Sequence, residues 1–266
     1  MSTVSEPAPR PSTPRDGLLP PQAVSWGLPD AALGLGLFVA IIVGSSFLGR
    51  APWFPHSDAL GTAITVVFYA VLVAYAVVVA RRRGLGSLTR DFGLELKWVD
   101  LLIGVGLAIV LRFVTVFIYN FAITALRLPA APTGNLELPK NFVWAVIVGL
   151  GIASLIAPIV EELYFRGLLM RAIRNAVIRR SRFEGERTTA RARTISVVVS
   201  AIIFAGFHLY EATNLTMLFV LGVNILVFGL IAGAIASRTR RLGPSLVMHI
   251  ATNAFGAVLL LNSYAR

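Results

Sequence analysis

Long uninterrupted apolar stretches, separated by short polar connections, dominate this sequence. The apolar positions are continuous and do not alternate with polar ones, which favours membrane helices over the strands of a closed barrel. A helix needs about 20 apolar residues to cross the hydrocarbon core of a bilayer. Seven stretches approach or exceed this length: 31–48, 60–80, 99–126, 142–178, 194–210, 215–236 and 244–261. The pattern therefore predicts an all-α fold, a polytopic bundle of transmembrane helices.

The stretch 142–178 is too long for one straight crossing and carries Pro158 near its middle. Either one helix kinks at this proline or two helices meet there, so about seven to eight spans are expected. Most Lys and Arg residues lie in the connections after the second, fourth and sixth stretches. Such residues mark cytoplasmic loops. A single kinked crossing keeps these connections on one side of the membrane and predicts a cytoplasmic N-terminus.

The composition also indicates a cell-membrane protein. Of the 266 residues, 56% are hydrophobic and 14% are charged, whereas about a quarter are charged in soluble domains. The net charge of +11 comes largely from arginines beside the apolar stretches, which favours the lipid bilayer over nucleic acid as the partner. The absence of cysteine excludes disulfides and thiolate catalysis. Residues 1–30 are rich in proline and are predicted to form a disordered tail, followed by a transmembrane domain at 31–266.

Three charged residues interrupt the stretch 142–178 just after Pro158: Glu161, Glu162 and Arg166. A charge at the centre of a bilayer costs about 2.5–3.5 kcal/mol even on the mildest scale, so such residues indicate a functional site. Glu162 and Arg166 are four residues apart and can form a structural ion pair on one helix face. Glu161 points about 100° away from Glu162 around the helix, so that pair leaves it unexplained. An active-site cavity within the membrane is therefore predicted here.

Two histidines occupy later apolar stretches. His208 follows Phe204 by four residues and His249 precedes Asn253 by four, so each pair shares one helix face. Each histidine could instead be a satisfied polar residue or make an interhelical hydrogen bond, worth about 0.6–2 kcal/mol in a membrane. Peptide hydrolysis needs a base that activates water and a donor that stabilises the oxyanion, and these residue types can supply both.

A further charge, Arg112, lies deep inside the third apolar stretch. A charge at that depth needs a partner or a path to water. One of the two site carboxylates is a candidate for that partner.

Three short motifs follow one another on separate predicted helices: EExxxR at 161–166, FxxxH at 204–208 and HxxxN at 249–253. In this order they resemble the CPBP family, which comprises CAAX prenyl endopeptidases and bacteriocin-processing or immunity proteins. The resemblance covers roughly residues 140–260, and the protease-like core is placed at 140–262.

The resemblance implies an intramembrane endopeptidase that acts on membrane-associated peptides or proteins, of CAAX or bacteriocin-like type. Carried over to this chain, Glu161 and His208 would activate water. His249 and Asn253 would support the site, with Asn253 as a donor to the oxyanion. The other motif residues would hold the geometry of the site: Glu162, Arg166 and Phe204.

Two versions of the chemistry stay open at this point. One glutamate and two histidines also match a zinc site with an open position for water, and its ligands would be Glu161, His208 and His249. The chain lacks the HExxH helix that pairs two zinc ligands with a base. The resemblance favours the metal-free glutamate and histidine version, which requires no cofactor.

Two other function classes fit charges inside a membrane. In a proton-coupled transporter the carboxylates and histidines would relay protons, but no internal repeat is evident in the sequence, which weakens this class. The other class is a non-catalytic immunity or scaffold protein, in which the same residues would be replaceable without effect.

The depths of the two histidines set a geometric condition on the site. At ~1.5 Å per residue, His249 lies about 9 Å from Gly243 and His208 about 22 Å from Arg193. Upright helices that start at one plane could not bring these histidines together. We therefore expect long, offset helices around a cavity that opens toward the cytoplasm.

Overall fold

The computed structural model describes residues 23–265 except 56, 132–135, 137 and 182–184. The helices of these residues are α1 (Leu28–Arg50), α2 (Asp58–Arg83), α3 (Leu88–Phe92), α4 (Trp98–Thr124), α5 (Phe142–Arg180), α6 (Glu186–Gly206), α7 (Leu215–Thr239) and α8 (Gly243–Leu261). Short 3₁₀ turns follow α6 and α8, at Leu209–Glu211 and Asn262–Ala265. Seven helices in the described part of the chain, all except α3, are long and apolar enough to cross a membrane. The predicted all-α polytopic bundle is thereby confirmed.

The long helix α5 is a single segment of 39 residues. Two π-helical stretches, Ile147–Ile156 and Glu162–Leu169, flank a short α-helical piece that contains Pro158. Proline has no N–H for the α-helical ladder, and π-helical turns accommodate such an irregular ladder. Of the two alternatives for this region, one continuous helix is therefore the one observed. Its irregularity is spread over two stretches on either side of the proline.

Polar caps set where several helices begin. Ser57 Oγ accepts a hydrogen bond from the backbone N–H of residue 60 at 3.2 Å, and Asn214 Oδ1 accepts one from the N–H of residue 217 at 2.8 Å. Asn141 caps α5 in the same way. These side chains satisfy N–H groups that have no partner within the helix. They place the helix starts at the edges of the apolar stretches.

The helix α5 lies against α1, α2, α6, α7 and α8, whereas α4 packs on the far side of α7 and α8. Phe165 and Leu168 of α5 are almost completely buried. Ser200 of α6 donates a hydrogen bond to the carbonyl of Phe165 at 2.9 Å. The hydroxyl of Tyr164 donates to the carbonyl of Ala31 in α1. Polar bonds between helices and apolar packing thus hold α5 in the middle of the bundle.

Close helix contacts depend on small residues. A Cβ atom on Gly104 of α4 would lie 2.5 Å from the Cβ of Val247 in α8. A Cβ atom on Gly229 of α7 would lie 3.0 Å from the Cβ of Ala201 in α6. Small side chains let membrane helices approach closely and gain van der Waals contact. These contacts fix how α8 and α7 sit beside their neighbours, and α8 carries part of the predicted site.

Ion pairs join the basic helix ends. Arg83 at the end of α2 pairs with Asp30 of α1 at 2.8 Å. Arg241, between α7 and α8, pairs with Asp100 of α4 at 2.6 Å. The hydrogen bonds that Arg241 donates to Asp100 raise the pKa of Arg241 above its ordinary value. Both pairs lie at the end of the bundle where the arginine-rich connections gather.

The residues just before α1 pack against the same end of the bundle. Trp26 is almost completely buried, with its ring centroid 5.5 Å from that of Phe92. Its Nε1 donates a hydrogen bond to Asp91 at 3.2 Å. The helix begins at Leu28, just before the end of the predicted tail. Residues 1–22 lie outside the described residues, so the division of the chain at residue 30 stays a prediction.

Candidate active site

The two adjacent glutamates have different surroundings. The side chain of Glu162 is 0% exposed and that of Arg166 is 1% exposed, and Arg166 Nη1 lies 3.0 Å from Glu162 Oε1. Glu161 is 16% exposed and lines a cavity. The predicted i, i+4 ion pair is therefore present, and it occupies only one of the two carboxylates.

Aromatic rings surround the buried guanidinium. The Cζ atom of Arg166 lies 4.2 Å from the ring centroid of Phe204 and 5.4 Å from that of Phe228. Both geometries are cation–π contacts, which are strongest where water is excluded. The second oxygen of Glu162, Oε2, and Nη2 of Arg166 have no hydrogen-bond partner among the described residues. The charge of Arg166 is therefore surrounded by two aromatic rings and one oxygen of Glu162.

His249 bridges the two carboxylates. Its Nδ1 lies 3.2 Å from Glu162 Oε1, and its Nε2 lies 3.7 Å from Glu161 Oε2. The imidazole also lies against Phe228, with the ring centroids 4.6 Å apart. Because α8 begins at Gly243, this histidine lies between one and two turns into the helix. The start of α8 thereby places an imidazole beside the carboxylates of α5.

His208 lies just beyond the end of α6, before the 3₁₀ turn at Leu209–Glu211. Its Nδ1 lies 2.9 Å from the carbonyl oxygen of Phe204. A carbonyl can only accept, so Nδ1 carries the proton and Nε2 of the neutral ring is free to take one. The rings of His208 and Phe204 are 4.7 Å apart, and Phe204 is 6.1 Å from His249. Both histidines therefore lie near the ring of Phe204, although they are at different distances from the starts of their helices.

A cavity of about 280 Å³ contains both Glu161 and His208 in its lining. The other lining residues come from α1, α2, α5 and the end of α6 and its following turn: Phe38, Ile41, Ile42, Ser45, Thr65, Phe68, Tyr69, Leu72, Phe165, Phe207, Tyr210 and Glu211. Most of this surface is apolar. The cavity also contains the carboxylates of Glu161 and Glu211, the imidazole of His208 and the phenol groups of Tyr69 and Tyr210. Such a mixture is typical of a ligand-binding pocket.

The cavity extends from mid-helix toward the bundle end that is opposite the arginines. Its lining takes the second half of α1, the first half of α2 and the turn after α6. The arginine-rich connections follow α2, α5 and α7 at the other end. The expectation of a cavity that opens toward the cytoplasm stays a prediction, because it depends on which end of the bundle faces the cytoplasm. Distances along single helices could not reveal the position of the cavity, since it depends on where α1 and α2 leave a gap.

Asn253 is not brought to the cavity. Its Nδ2 donates a hydrogen bond to the carbonyl of Ala153 at 2.9 Å, in the first π-helical stretch of α5. The structure thus brings six of the predicted site residues together and places the seventh, Asn253, at a contact between α8 and α5. The six are Glu161, Glu162, Arg166, Phe204, His208 and His249.

Residues 139–255 match the model of the Rce1-like family, described as type II CAAX prenyl endopeptidase Rce1-like. The matched region contains all three motifs. This region of the chain is therefore similar to that family. The similarity, together with the seven long apolar helices, supports a multi-pass membrane endopeptidase with membrane-associated substrates. No curated protein and no solved structure is significantly similar to the chain.

The described residues do not offer a ready metal site. Among the described residues, no group of three or more His, Asp or Glu side chains is arranged to hold a metal ion. Glu161 and His249 lie close together, but His208 does not join them in a group that could hold an ion. The three ligands considered for zinc therefore do not fit a single ion in this arrangement, and no step below passes through one.

Several residues of the candidate site were not identified from the sequence, among them Tyr69, Tyr210, Glu211 and Phe228. Phe228 lies on an apolar helix, where nothing distinguishes it from a lipid-facing phenylalanine. The hydroxyl of Tyr69 inside the second apolar stretch is a weak signal. Tyr210 and Glu211 follow His208 directly, so proximity to a motif residue could have indicated them.

Proposed function

We propose that the cavity is the active site of an intramembrane endopeptidase in which Glu161 and His208 activate water without a metal. The observation that supports this most strongly is that both residues line one cavity within the bundle. Glu162, by contrast, is fully buried and paired with Arg166. Glu161 is thereby available for chemistry, whereas Glu162 has a structural role.

The proposed reaction begins with a water molecule beside Glu161. The carboxylate takes one proton from the water while the water oxygen bonds to the carbonyl carbon of the scissile peptide. The carbonyl oxygen becomes an oxyanion. Glu161 passes this proton to Nε2 of His208. When the tetrahedral intermediate collapses, the C–N bond breaks and His208 gives the proton to the leaving nitrogen. Both groups return to their starting states, and the products are a carboxylic acid and an amine.

The oxyanion needs a donor that is already in position. Asn253 was expected to fill this role, but its amide donates to Ala153 and it does not line the cavity. The hydroxyl groups in the lining belong to Ser45, Thr65, Tyr69 and Tyr210. Tyr69 is less exposed than Tyr210, so its donor is better shielded from water and is assigned to the oxyanion.

The remaining motif residues act through others in this proposal. His249 lies beside Glu161 and orients it, while Glu162 fixes the opposite nitrogen of the imidazole. Arg166 keeps Glu162 charged, and Phe204 covers the guanidinium and supports both histidines. Asn253 anchors α8 on α5. These are positioning residues, because none of them lines the cavity.

The first substrates to test are prenylated peptides that end in a CAAX sequence, because the family description names a CAAX prenyl endopeptidase. The apolar part of the cavity lining fits a membrane-associated substrate with an apolar group. A panel of unlipidated and bacteriocin-like peptides tests the other substrate types that the motifs suggest.

The test compares the purified full-length protein with its Glu161→Gln and His208→Asn variants in lipid vesicles, using cleavage of the peptide panel as the readout. Each variant removes a proton-transfer group and should lower kcat by about 10²–10⁴-fold. Glu95→Gln is the matched control, since Glu95 is a partly exposed carboxylate paired only with Lys97 at 3.2 Å. Folding of every variant is checked by its thermal midpoint.

Two outcomes would contradict the proposal. Cleavage that survives both substitutions would remove Glu161 and His208 from the chemistry. Cleavage that a chelator abolishes and added zinc restores, with metal bound stoichiometrically to the active protein, would replace the water-activating pair by a metal centre.

A further inference from the structure

Arg112 lies near mid-membrane on α4, 14 residues after its start at Trp98 and 12 before its end at Thr124. At ~1.5 Å per residue these separations are about 21 Å and 18 Å along the axis. The hydrocarbon core is about 30 Å thick, so both interfaces are about 15 Å away from its centre. An arginine side chain is too short to bring its charge to either interface from this depth.

The side chain is exposed on the outside of the bundle. Its neighbours along the helix are exposed and apolar: Ile109 is 56% exposed and Phe113 is 73% exposed. The Cζ atom lies 4.8 Å from the ring centroid of Phe255 in α8. Among the described residues Arg112 has no ion-pair partner, and the site carboxylates, one candidate for that role, are instead paired with Arg166 and His249.

One cation–π contact to a half-exposed ring is a small compensation for this charge. Such contacts are worth about 0.5–2 kcal/mol, whereas an arginine at the centre of a membrane costs about 2.5–3.5 kcal/mol on the mildest scale and more on others. The surface formed by Ile109, Arg112, Phe113 and Phe255, called here the Arg112 surface, therefore lacks a negative partner. It lies away from the cavity, whose lining contains no residue of α4 or α8.

We propose that the Arg112 surface binds a transmembrane helix of another protein that carries an aspartate or glutamate near its middle. The apolar residues would pack against that helix, and its carboxylate would meet the guanidinium where water is excluded. Charges inside membranes pair with one another for this reason. The inference does not depend on the proposed catalytic roles, since the surface and the cavity share no residue.

A second copy of this chain cannot supply the carboxylate. The acidic residues deep inside its apolar stretches are Glu161 and Glu162. Glu162 is completely buried and Glu161 faces the cavity. Lipid phosphates lie at the membrane surface and would have to be drawn inward to reach Arg112. A helix of a different protein is therefore the occupant that fits both the charge and the depth.

The test uses the full-length protein in phosphatidylcholine vesicles and a synthetic single-span Leu/Ala peptide with one Glu at its midpoint. Energy transfer from the labelled peptide to the labelled protein reports binding, and the same peptide with Leu at its midpoint is the reference. We expect tighter binding of the Glu peptide, lowered about three- to twentyfold by Arg112→Leu, which is the range of polar bonds between membrane helices. Arg112→Lys should retain most of the binding.

Phe117→Leu is the matched control, since Phe117 is an exposed phenylalanine on the same helix that lies outside the Arg112 surface, and the change leaves the charge unaltered. Peptide cleavage and the thermal midpoint of Arg112→Leu should equal those of the parent, which shows that the variant is folded. Equal binding of the Glu and Leu peptides, or binding that survives Arg112→Leu, would overturn the proposal. So would a result in which no peptide binds and Arg112→Leu changes the thermal midpoint only in vesicles with anionic lipid, because a lipid phosphate would then be the partner.

Discussion

The Nδ1 atom of His249 lies 3.2 Å from Oε1 of Glu162. An ionised carboxylate only accepts, so Nδ1 carries a proton. The other ring nitrogen lies 3.7 Å from Oε2 of Glu161, which is beyond hydrogen-bond distance but close enough for an electrostatic interaction. His249 therefore links the buried ion pair to the carboxylate on the cavity.

Replacing His249 with alanine should lower kcat by about 10²-fold, because a misplaced catalytic group can cost this much. The pH–rate profile should also change shape, because the variant removes the imidazole that lies beside the proposed base. Steady-state kinetics across the pH range measure both effects. Thr252→Ala is the control on the same helix, as its hydroxyl bonds only to the carbonyl of Met248. A variant with lower kcat and an unchanged profile would show that His249 is merely structural.

Phe228 should matter for activity as well as for packing. Its ring contacts both the imidazole of His249 at 4.6 Å and the guanidinium of Arg166 at 5.4 Å. The Phe228→Leu substitution keeps the position apolar but removes the flat surface on which both groups rest. We expect the kcat for peptide cleavage to fall at least tenfold. A leucine in place of a buried phenylalanine should also lower the thermal midpoint.

Phe219→Leu separates the two effects, because Phe219 is on the same helix and packs against the separate cluster around Ile118. It should lower the thermal midpoint to a similar extent and leave kcat unchanged. Equal loss of kcat in both variants would mean that Phe228 contributes only to stability.

The hydroxyl of Tyr69 should contribute to the transition state. Removing one oxyanion donor costs about 10²–10³-fold in kcat, and Tyr69→Phe removes only the hydroxyl from the cavity lining. KM should change little, because the donor acts on charge that develops during the reaction. Tyr75→Phe is the control in the same helix, since its hydroxyl donates to the carbonyl of Asp30 and does not line the cavity. Full activity of Tyr69→Phe would assign the oxyanion to another donor.

Apolar length predicts all of the crossing helices, because backbone in lipid must satisfy its own hydrogen bonds. Helical spacing likewise predicts the contact of Glu162 with Arg166. Spacing could not predict that His249 lies between two carboxylates or that Asn253 meets Ala153, since both depend on how far α8 is displaced along α5. The cavity depends on a gap between α1, α2 and α5, which leaves no trace in any single stretch of sequence.

The side of the membrane on which the cavity opens follows from two observations. Arginines collect at one end of the bundle, and Tyr210 and Glu211 of the cavity lie beyond the opposite end of α6. Basic loops stay in the cytoplasm, so the cavity should open away from it, with the N-terminus cytoplasmic. Because the chain has no cysteine, single cysteines can be introduced without background labelling. In intact cells, a membrane-impermeant maleimide should label the Thr213→Cys variant and not the Arg81→Cys variant.

Both of these cysteine positions are exposed, so a difference in labelling reports the side of the membrane and not burial. Permeabilised cells serve as the control, in which both variants should react equally. Labelling of Arg81→Cys alone in intact cells would show that the orientation is the reverse of the predicted one. The cavity would then open toward the cytoplasm, and the arginine-rich end would face outward against the charge rule. Substrates would in that case reach Glu161 from inside the cell, whereas the expected result requires them to enter from the outer side or laterally from the bilayer.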